Sequence, residues 1–367
     1  MGFDLQPTEE QQALRETLAA FSAEVLRPTA RDAEAAGETS AEIARQVHEI
    51  GVTAPVPEDF GGGGTFDAVT YCIAAEELAW GDPGIASYVL GSGLAAIVID
   101  VAGTDEQRAK HLPSFAEPEP PRSFVAIGEK VAAGDLEGLE TTVDGDKVSG
   151  EKYGVLNASD AHIGVVFGRN GGELGAVLVD PSSGYELVKA ESKLGLEAAP
   201  TSVARFDVAG EALPPGEKLT HAAIWAKLLT GAIAVGCARA SLEYASDYAI
   251  EREAFGKPIG AFQAISFKVA DMAIAVDAAR LAVWRAAWKL DRGDASLADV
   301  AEANGQALAA AIHCGDDAVQ VLGGHGYIQD HPVEKWFRDA VTLSVFDAPD
   351  VAGDAMVARS VFTGGVN

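Results

Sequence analysis

The sequence predicts an α+β multidomain chain: helices over residues 1–121, a small antiparallel barrel or sandwich over 122–215, and a helical bundle over 216–367. Three observations predict it. Apolar residues recur at spacings of 3 and 4 near both ends, short Val/Thr/Phe/Ile-rich runs with turn dipeptides fill the middle, and proline-rich breaks separate the parts. At 367 residues and 48% hydrophobic, the chain suits two or three domains and is globular in composition.

The elements follow in order. Thr8 and Gln11 make a capping-box pattern, and Leu14, Leu18, Phe21 and Val25 then share one helix face, with Pro28 as the expected stop. A second helix starts at Thr39/Glu42, places Ile43, Val47 and Ile50 on one face and stops at Gly51. Gly61–Gly64 read as a loop, and a third helical stretch runs through Val69, Ile73 and Leu78. Glu117-Pro118-Glu119-Pro120-Pro121 reads as a linker. Strands are expected over 122–127, 139–143, 163–168 and 174–179, with hairpin turns at Asp144-Gly145 and Asn170-Gly171. Pro214-Pro215-Gly216 ends the β region. Phe262, Ile265, Val269, Met272, Val276, Ala279 and Val283 then mark a bundle helix burying one seam.

Charge and composition exclude several classes. With Lys+Arg 27 against Asp+Glu 55, the net charge is −28, which repels phosphate backbones and argues against a nucleic-acid partner. The three cysteines, Cys72, Cys237 and Cys314, form no disulfide framework, and the seven scattered histidines give no metal-ligand spacing. No uncharged apolar run approaches the roughly 18 residues of a membrane span. Met1-Gly2-Phe3-Asp4 lacks the start of a signal peptide, so a cytoplasmic protein is expected.

Gly91-Ser92-Gly93-Leu94-Ala95-Ala96 matches a dinucleotide fingerprint, but its helical flanks give no strand before it, so a Rossmann site is rejected. Arg252-Glu253-Ala254-Phe255-Gly256-Lys257-Pro258-Ile259-Gly260-Ala261-Phe262-Gln263 carries more. A helix bearing Arg252 is expected to end at Gly256, placing a guanidinium and the Gln263 amide where they can hold a pyrophosphate, against the plainer reading of an exposed helix hairpin. Gln320-Val321-Leu322-Gly323-Gly324-His325-Gly326-Tyr327 is a helix C-cap or a loop where backbone approaches a ligand. His325, between two glycines, is read as incidental.

Together, R-x-x-F-G-x-x-I-x-x-F-Q and Q-x-x-G-G-x-G-Y, about sixty residues apart, resemble the acyl-CoA dehydrogenase family. Thr8-Glu9-Glu10-Gln11, Pro57-Glu58-Asp59-Phe60-Gly61-Gly62, Glu76-Glu77-Leu78-Ala79, Gly103-Thr104-Asp105-Glu106-Gln107 and Lys193-Leu194-Gly195-Leu196 extend the resemblance over nearly the whole chain. It implies a middle β-barrel and a C-terminal four-helix bundle, usually in a tetramer, with FAD between them and a neighbouring subunit completing its site. By that likeness Arg252, Phe255 and Gln263 contact FAD across the dimer, and Gln320, Gly323 and Gly324 line its adenosine end. The implied reaction is α,β-dehydrogenation of acyl-CoA or another acyl thioester. A carboxylate takes the α-proton, FAD receives the β-hydride, and an electron-transfer flavoprotein is the implied acceptor.

The chain departs from the family at that carboxylate. Arg338-Asp339-Ala340 is present, but the expected Tyr-Glu-Gly-Thr is Phe346-Asp347-Ala348-Pro349, so Asp347 stands at the Glu position. Its side chain is about 1.5 Å shorter, and a misplacement of about 1 Å can cost ~100-fold in rate. Ala226 occupies the alternative position some members use for their Glu. The family's flavin-facing Thr, aromatic, Thr and Thr become Gly128, Gly154, Leu156 and Pro349. Three readings follow: a dehydrogenase using Asp347, a degenerate subunit of an α2β2 heterotetramer that serves a partner's flavin, or a flavin oxidase of nitroalkane-oxidase type.

Overall fold

The computed structural model describes residues 6–130, 135–345 and 349–363. Thr8 opens α1 (Glu9–Phe21) with the expected capping box. The stop expected at Pro28 does not occur. A π turn over Ser22–Leu26 carries the chain into α2 (Arg27–Ala36), with Pro28 in the first turn of α2. The wider turn makes room for the pyrrolidine ring and asks no N–H of it, so the helix continues. α3 (Ala41–Ile50) is capped by Ser40, not Thr39, because the Thr39 hydroxyl donates instead to Ala198 O at 2.8 Å. Gly51 ends α3 as expected.

α4 (Ala68–Gly81), α5 (Pro83–Gly91), α6 (Leu94–Ala102) and α7 (Asp105–Phe115) complete the N-terminal helical domain. α4 is apolar on nearly every face, and almost all of it is buried. Gly91 closes α5 and Gly93 caps α6, so the glycine pattern there is a helix break with no strand before it.

The middle domain is one mixed sheet of β1 (Ser123–Ala126), β2 (Thr142–Asp144), β3 (Lys147–Leu156), β4 (Ile163–Asn170), β5 (Glu173–Val179), β6 (Glu186–Ala190), β7 (Thr201–Ala209) and β8 (Glu211–Ala212). The four expected strands are β1, β2, β4 and β5, and both turn dipeptides join strands through two-residue connections. The sheet is not wholly antiparallel as expected. β5 occupies one edge of β4, while β1 and then β2 share the other edge, and both run parallel to β4. The strand path, β6-β7-β3-β2-β4-β5-β8, leaves β6 and β8 at its ends without pairing each other among the described residues. β3 escapes sequence reading because its inward alternation slips at a register shift between Lys152 and Val155. β6 escapes because all its side chains are exposed.

Pro214-Pro215-Gly216 leads into α8 (Glu217–Glu251), as expected. The helix ends at Glu251, five residues before the expected Gly256. Arg252 is extended, and β9 (Glu253–Ala254) pairs with β10 (Lys257–Pro258) around Phe255 (φ +53°) and Gly256 (φ +79°). Two successive left-handed residues make a tight hairpin, which a helix cannot run through. α9 (Gln263–Asp291), α10 (Leu297–Leu322) and α11 (Val333–Val345) pack with α8 as the C-terminal bundle, and α12 (Pro349–Thr363) lies on α10. In α9 the seam is buried from Met272 through Val283, while Phe262, Ile265 and Val269 are half-buried. α8 is long and apolar enough to cross a membrane by composition, but 78% of that stretch is buried inside the fold, where α8 packs against α4, α9 and α10.

Gly236 of α8 sits against the Glu76 carbonyl and the Ala79 Cβ of α4, which brings the two helices close. Arg239 then reaches Glu77 through Nη2 at 2.6 Å and Glu76 through Nη1 at 3.0 Å, tying the N-terminal domain to the bundle. The three thiols are buried, and burial pushes that of Cys314 up to about 12.

Candidate active site

A cleft of about 650 Å³ lies between the sheet and α11, within the usual range for small-molecule sites. Gly128, Tyr153, Gly154 and Thr201 line it from the sheet, Glu191–Leu194 from the loop after β6, and Phe337, Val341 and Val345 from α11. Gly154 takes a left-handed φ of +64°, and its N–H donates to Glu191 Oε2 at 3.0 Å. Thr201 pairs across the strands with Leu156. Its Oγ1 is buried with no hydrogen-bond partner. A hydroxyl without a partner therefore sits on the cleft wall, beside Leu156 on the neighbouring strand.

Glu129, also on the cleft wall, has a structural task. Its carboxylate accepts from Glu140 N, Thr141 N and Lys152 Nζ at 2.6, 3.0 and 2.7 Å. Burial alone would raise its pKa, but the Lys152 ammonium and these donors hold it below the ordinary glutamate value. Lys193 lines the cleft with Nζ on Ala199 O at 3.0 Å, and burial pushes its pKa down. Sequence reading missed the roles of Thr201, Glu191 and Lys152, because each depends on pairings between strands distant in sequence.

α11 positions the carboxylate region. The Arg338 guanidinium holds Glu34 of α2 at 2.6 Å, Glu334 at 2.8 Å and the Leu194 carbonyl at 2.5 Å. Asp339 accepts from Leu196 N at 2.6 Å. The Arg-Asp-Ala motif thus locks α11 onto the loop before β7. Val345 lines the cleft, and Asp347 follows it by two residues; Asp347, with Phe346 and Ala348, lies outside the described residues.

A second, apolar pocket of about 80 Å³ shares Gly128, Tyr153 and Gly154 with the cleft and runs between α5, α6, α8 and β3. Leu156 and Ala226 both line it.

The other candidates lie elsewhere. Arg252 and Gly324 line a separate pocket of about 250 Å³ with Tyr248 and His325, and it shares no residue with the cleft. Gly323 caps α10, its N–H donating to Gln320 O. A Cβ at Gly323 or Gly324 would meet nothing within 4 Å. Phe255 stands at the hairpin tip, 96% exposed, and Gln263 starts α9. Neither reaches that pocket. His325 Nδ1 lies 2.7 Å from Tyr248 Oη, so the imidazole has a side-chain partner in place.

The residues fit FAD at two ends. Arg252 makes no ion pair with a carboxylate among the described residues despite the net charge of −28, and beside it open glycine backbone can approach an anion. In the cleft, the unpartnered Thr201 hydroxyl offers a hydrogen bond to a ring. No group of His, Cys, Asp or Glu suited to a metal ion occurs among the described residues.

Comparison with known proteins agrees. The family model "Acyl-CoA dehydrogenase, N-terminal domain" matches residues 8–119, and "Acyl-CoA dehydrogenase, C-terminal domain" matches residues 220–359. A probable acyl-CoA dehydrogenase of Bacillus subtilis is 31% identical, over 98% of this chain and all of its own length. The mitochondrial short-chain specific acyl-CoA dehydrogenase of Bos taurus is 32% identical, over 97% of this chain and 90% of its own. The structure of butyryl-CoA dehydrogenase from Megasphaera elsdenii superposes with a TM-score of 0.86 at 27% identity, over 98% of this chain and 100% of that one. Two family models in chain order, a three-part fold and a cleft between sheet and bundle converge on one assignment: the chain belongs to the acyl-CoA dehydrogenase family of flavin-dependent oxidoreductases.

Proposed function

We propose that the protein is an FAD-dependent dehydrogenase of acyl-CoA thioesters, with Asp347 as the base that takes the α-proton. The observation that carries the reading is the cleft itself. It opens beside an apolar pocket suited to an acyl chain, and its α11 wall ends at Val345, two residues before Asp347. FAD, when bound, supplies the acceptor for the β-hydride. The chain's residues do the rest. Ala226, Leu229 and Ile233 hold the acyl chain away from water, Thr201 and the Gly128 and Gly154 backbone face the cofactor, and Asp347 receives the proton.

Arg252, Phe255, Gln263, Gln320, Gly323 and Gly324 contact the FAD of a neighbouring subunit. Their exposure supports this, as does the separation of the Arg252 pocket from the cleft. A tetramer with domains over 1–121, 122–215 and 216–367, working in the cytoplasm and passing electrons to an electron-transfer flavoprotein, follows from the same reading. The relatives named for CoA thioesters support CoA as the carrier.

One observation favours a second reading. Gly128 and Leu156 bring no hydroxyl to the cleft, and the Glu191 carboxylate already takes the Gly154 N–H. In that reading the chain completes the flavin site of a homologous partner in an α2β2 tetramer.

The test is flavin content of the chain purified alone, followed by Asp347→Asn. About one flavin per protomer, retained in the variant while turnover of the best acyl-CoA falls about 10²–10⁴-fold, is the expected result for a general base. A colourless chain that binds flavin only with a homologous partner, or an undiminished Asp347→Asn enzyme, overturns it.

A further inference from the structure

We propose that the N-terminal domain carries a binding site for a neutral aromatic molecule bearing a hydroxyl, separate from the flavin cleft and from the pocket beside it. The site is a pocket of about 310 Å³ between α3, residues 53–54, α5 and the segment 118–122. That is about twice the ~150 Å³ cavity that accepts a benzene ring in a protein interior, so two fused rings fit. It shares no residue with the cleft, the small apolar pocket or the Arg252 pocket. α5 divides it from the small pocket: Ser87 and Gly91 line that one, and Tyr88, Val89 and Ser92 line this one.

The walls set the chemistry. Phe115, Pro118, Pro120, Pro121, Val89 and Ala44 give the pocket apolar faces. The charges around it balance. Glu42 and Glu119 stand against Arg45 and Arg122, with Arg45 held by Glu42 and Glu49, and Arg122 by Asp160. The lining therefore favours no ion of either sign. Two polar atoms lack partners. The Thr53 hydroxyl is buried without a hydrogen bond, and the residue is 5% exposed. Its backbone is seated against Gly93, where a Cβ would lie 1.9 Å from Thr53 O. His48 Nε2 donates to Glu117 O at 2.9 Å, which makes Nδ1 of the neutral ring an acceptor, and Nδ1 is buried and unpartnered. The other hydroxyls are spent: Ser92 Oγ donates to Tyr88 O at 2.8 Å, and the Tyr88 phenol is hydrogen-bonded to Arg122. A buried group left unpaired carries a penalty, which a ligand supplying the partner recovers. A hydroxyl supplies both needs, a donor for His48 Nδ1 and a partner for Thr53 Oγ1, and flat rings suit the proline and phenylalanine walls.

The experiment is equilibrium dialysis of the flavin-loaded protein against 2-naphthol, 2-methoxynaphthalene and 2-naphthoate at neutral pH. 2-Naphthol is expected to bind one molecule per chain with a Kd below about 1 mM. The methyl ether, which cannot donate, and the carboxylate, which brings a charge, are expected to bind about 3–10-fold more weakly. Thr53→Val keeps the β-branched shape and removes the hydroxyl, and His48→Phe removes the acceptor. Each is expected to weaken 2-naphthol about 3–10-fold. Ala41→Trp fills the mouth from the exposed first residue of α3, away from the core, and is expected to weaken all three ligands about tenfold or more. Flavin content stays the same in the three variants, which separates this site from the cleft. No saturable binding of 2-naphthol overturns the assignment. So does an ether or a carboxylate that binds as tightly as the naphthol, or naphthol binding that none of the variants weakens.

Discussion

Lys335 Nζ lies 2.7 Å from Asp339 Oδ2, one turn along α11, and neither side chain reaches solvent. The same ammonium bonds Asp82, whose other oxygen caps α5 through Ile85 N at 2.8 Å. Asp339 in turn takes the Leu196 N–H. One buried cation therefore joins the N-terminal helices, the sheet and the bundle beside the cleft. Burial alone would push the ammonium toward neutrality, but Asp339 and Asp82 outweigh it and hold its pKa above the ordinary lysine value.

Replacing that cation leaves two carboxylates buried without compensation. Lys335→Met is expected to cost about 3–5 kcal/mol of stability. Urea denaturation of the variant measures it; a loss below about 1 kcal/mol would show that the triad contributes little.

Acid should weaken the link between α4 and α8. Burial would raise the pKa of Glu77, but Arg239 and Arg15 more than reverse this and hold it below 4.5. A depressed carboxylate contributes stability above its unfolded value and loses it as pH falls through the folded one. The stability gap between the unmodified protein and Glu77→Gln is therefore expected to be constant above pH 5 and to close below pH 4.5. Denaturation curves from pH 3 to 8 would show a gap that does not close if Arg239 exerts no such pull.

Two helical glycines should respond oppositely. A Cβ at Gly236 would come 2.4 Å from Glu76 O, so Gly236→Val is expected to lose about 1–3 kcal/mol or more by forcing α4 and α8 apart. Gly305 of α10 has nothing within 4 Å, and Gly305→Ala is expected to gain up to about 1 kcal/mol. Thermal melts of the pair decide it, since equal shifts would refute the packing argument.

Arg252→Met is expected to weaken FAD binding about 10–100-fold, the worth of one charge-assisted contact. Arg252→Lys should recover only part, lacking the planar fork. Flavin titration of the apoprotein gives the answer, and unchanged affinity would remove Arg252 from the site.

Much of this was legible in the sequence, where the signal is local. The Thr8 capping box, the Gly51 stop and the Asn170-Gly171 turn each depend on a few adjacent residues, and each holds. What escaped depends on distant partners. Thr39 lost its capping role to a carbonyl in another domain, and β1 and β2 run parallel to β4, a direction that no local run of residues encodes. The hairpin at Phe255 puts a bulky residue at positive φ, which propensity reads against. In the site, the family motifs marked Leu156 and Asp347 by spacing alone. That Leu156 faces Gly91, and that Thr201 stands across from it, arises from strand register and helix placement that no motif encodes.

α4 is sheathed on nearly all sides, and one of its walls is α8. The two are far apart along the chain, so during translation α4 leaves the ribosome on the order of 10 s before α8 can cover it. Until then a helix with almost no polar face stands open on a growing polypeptide. Synthesis rate and chaperone capture then bear on the yield of this protein in a cell, alongside its final stability. Ribosome stalling between α4 and α8 would release a fragment that aggregates, whatever the finished molecule can withstand.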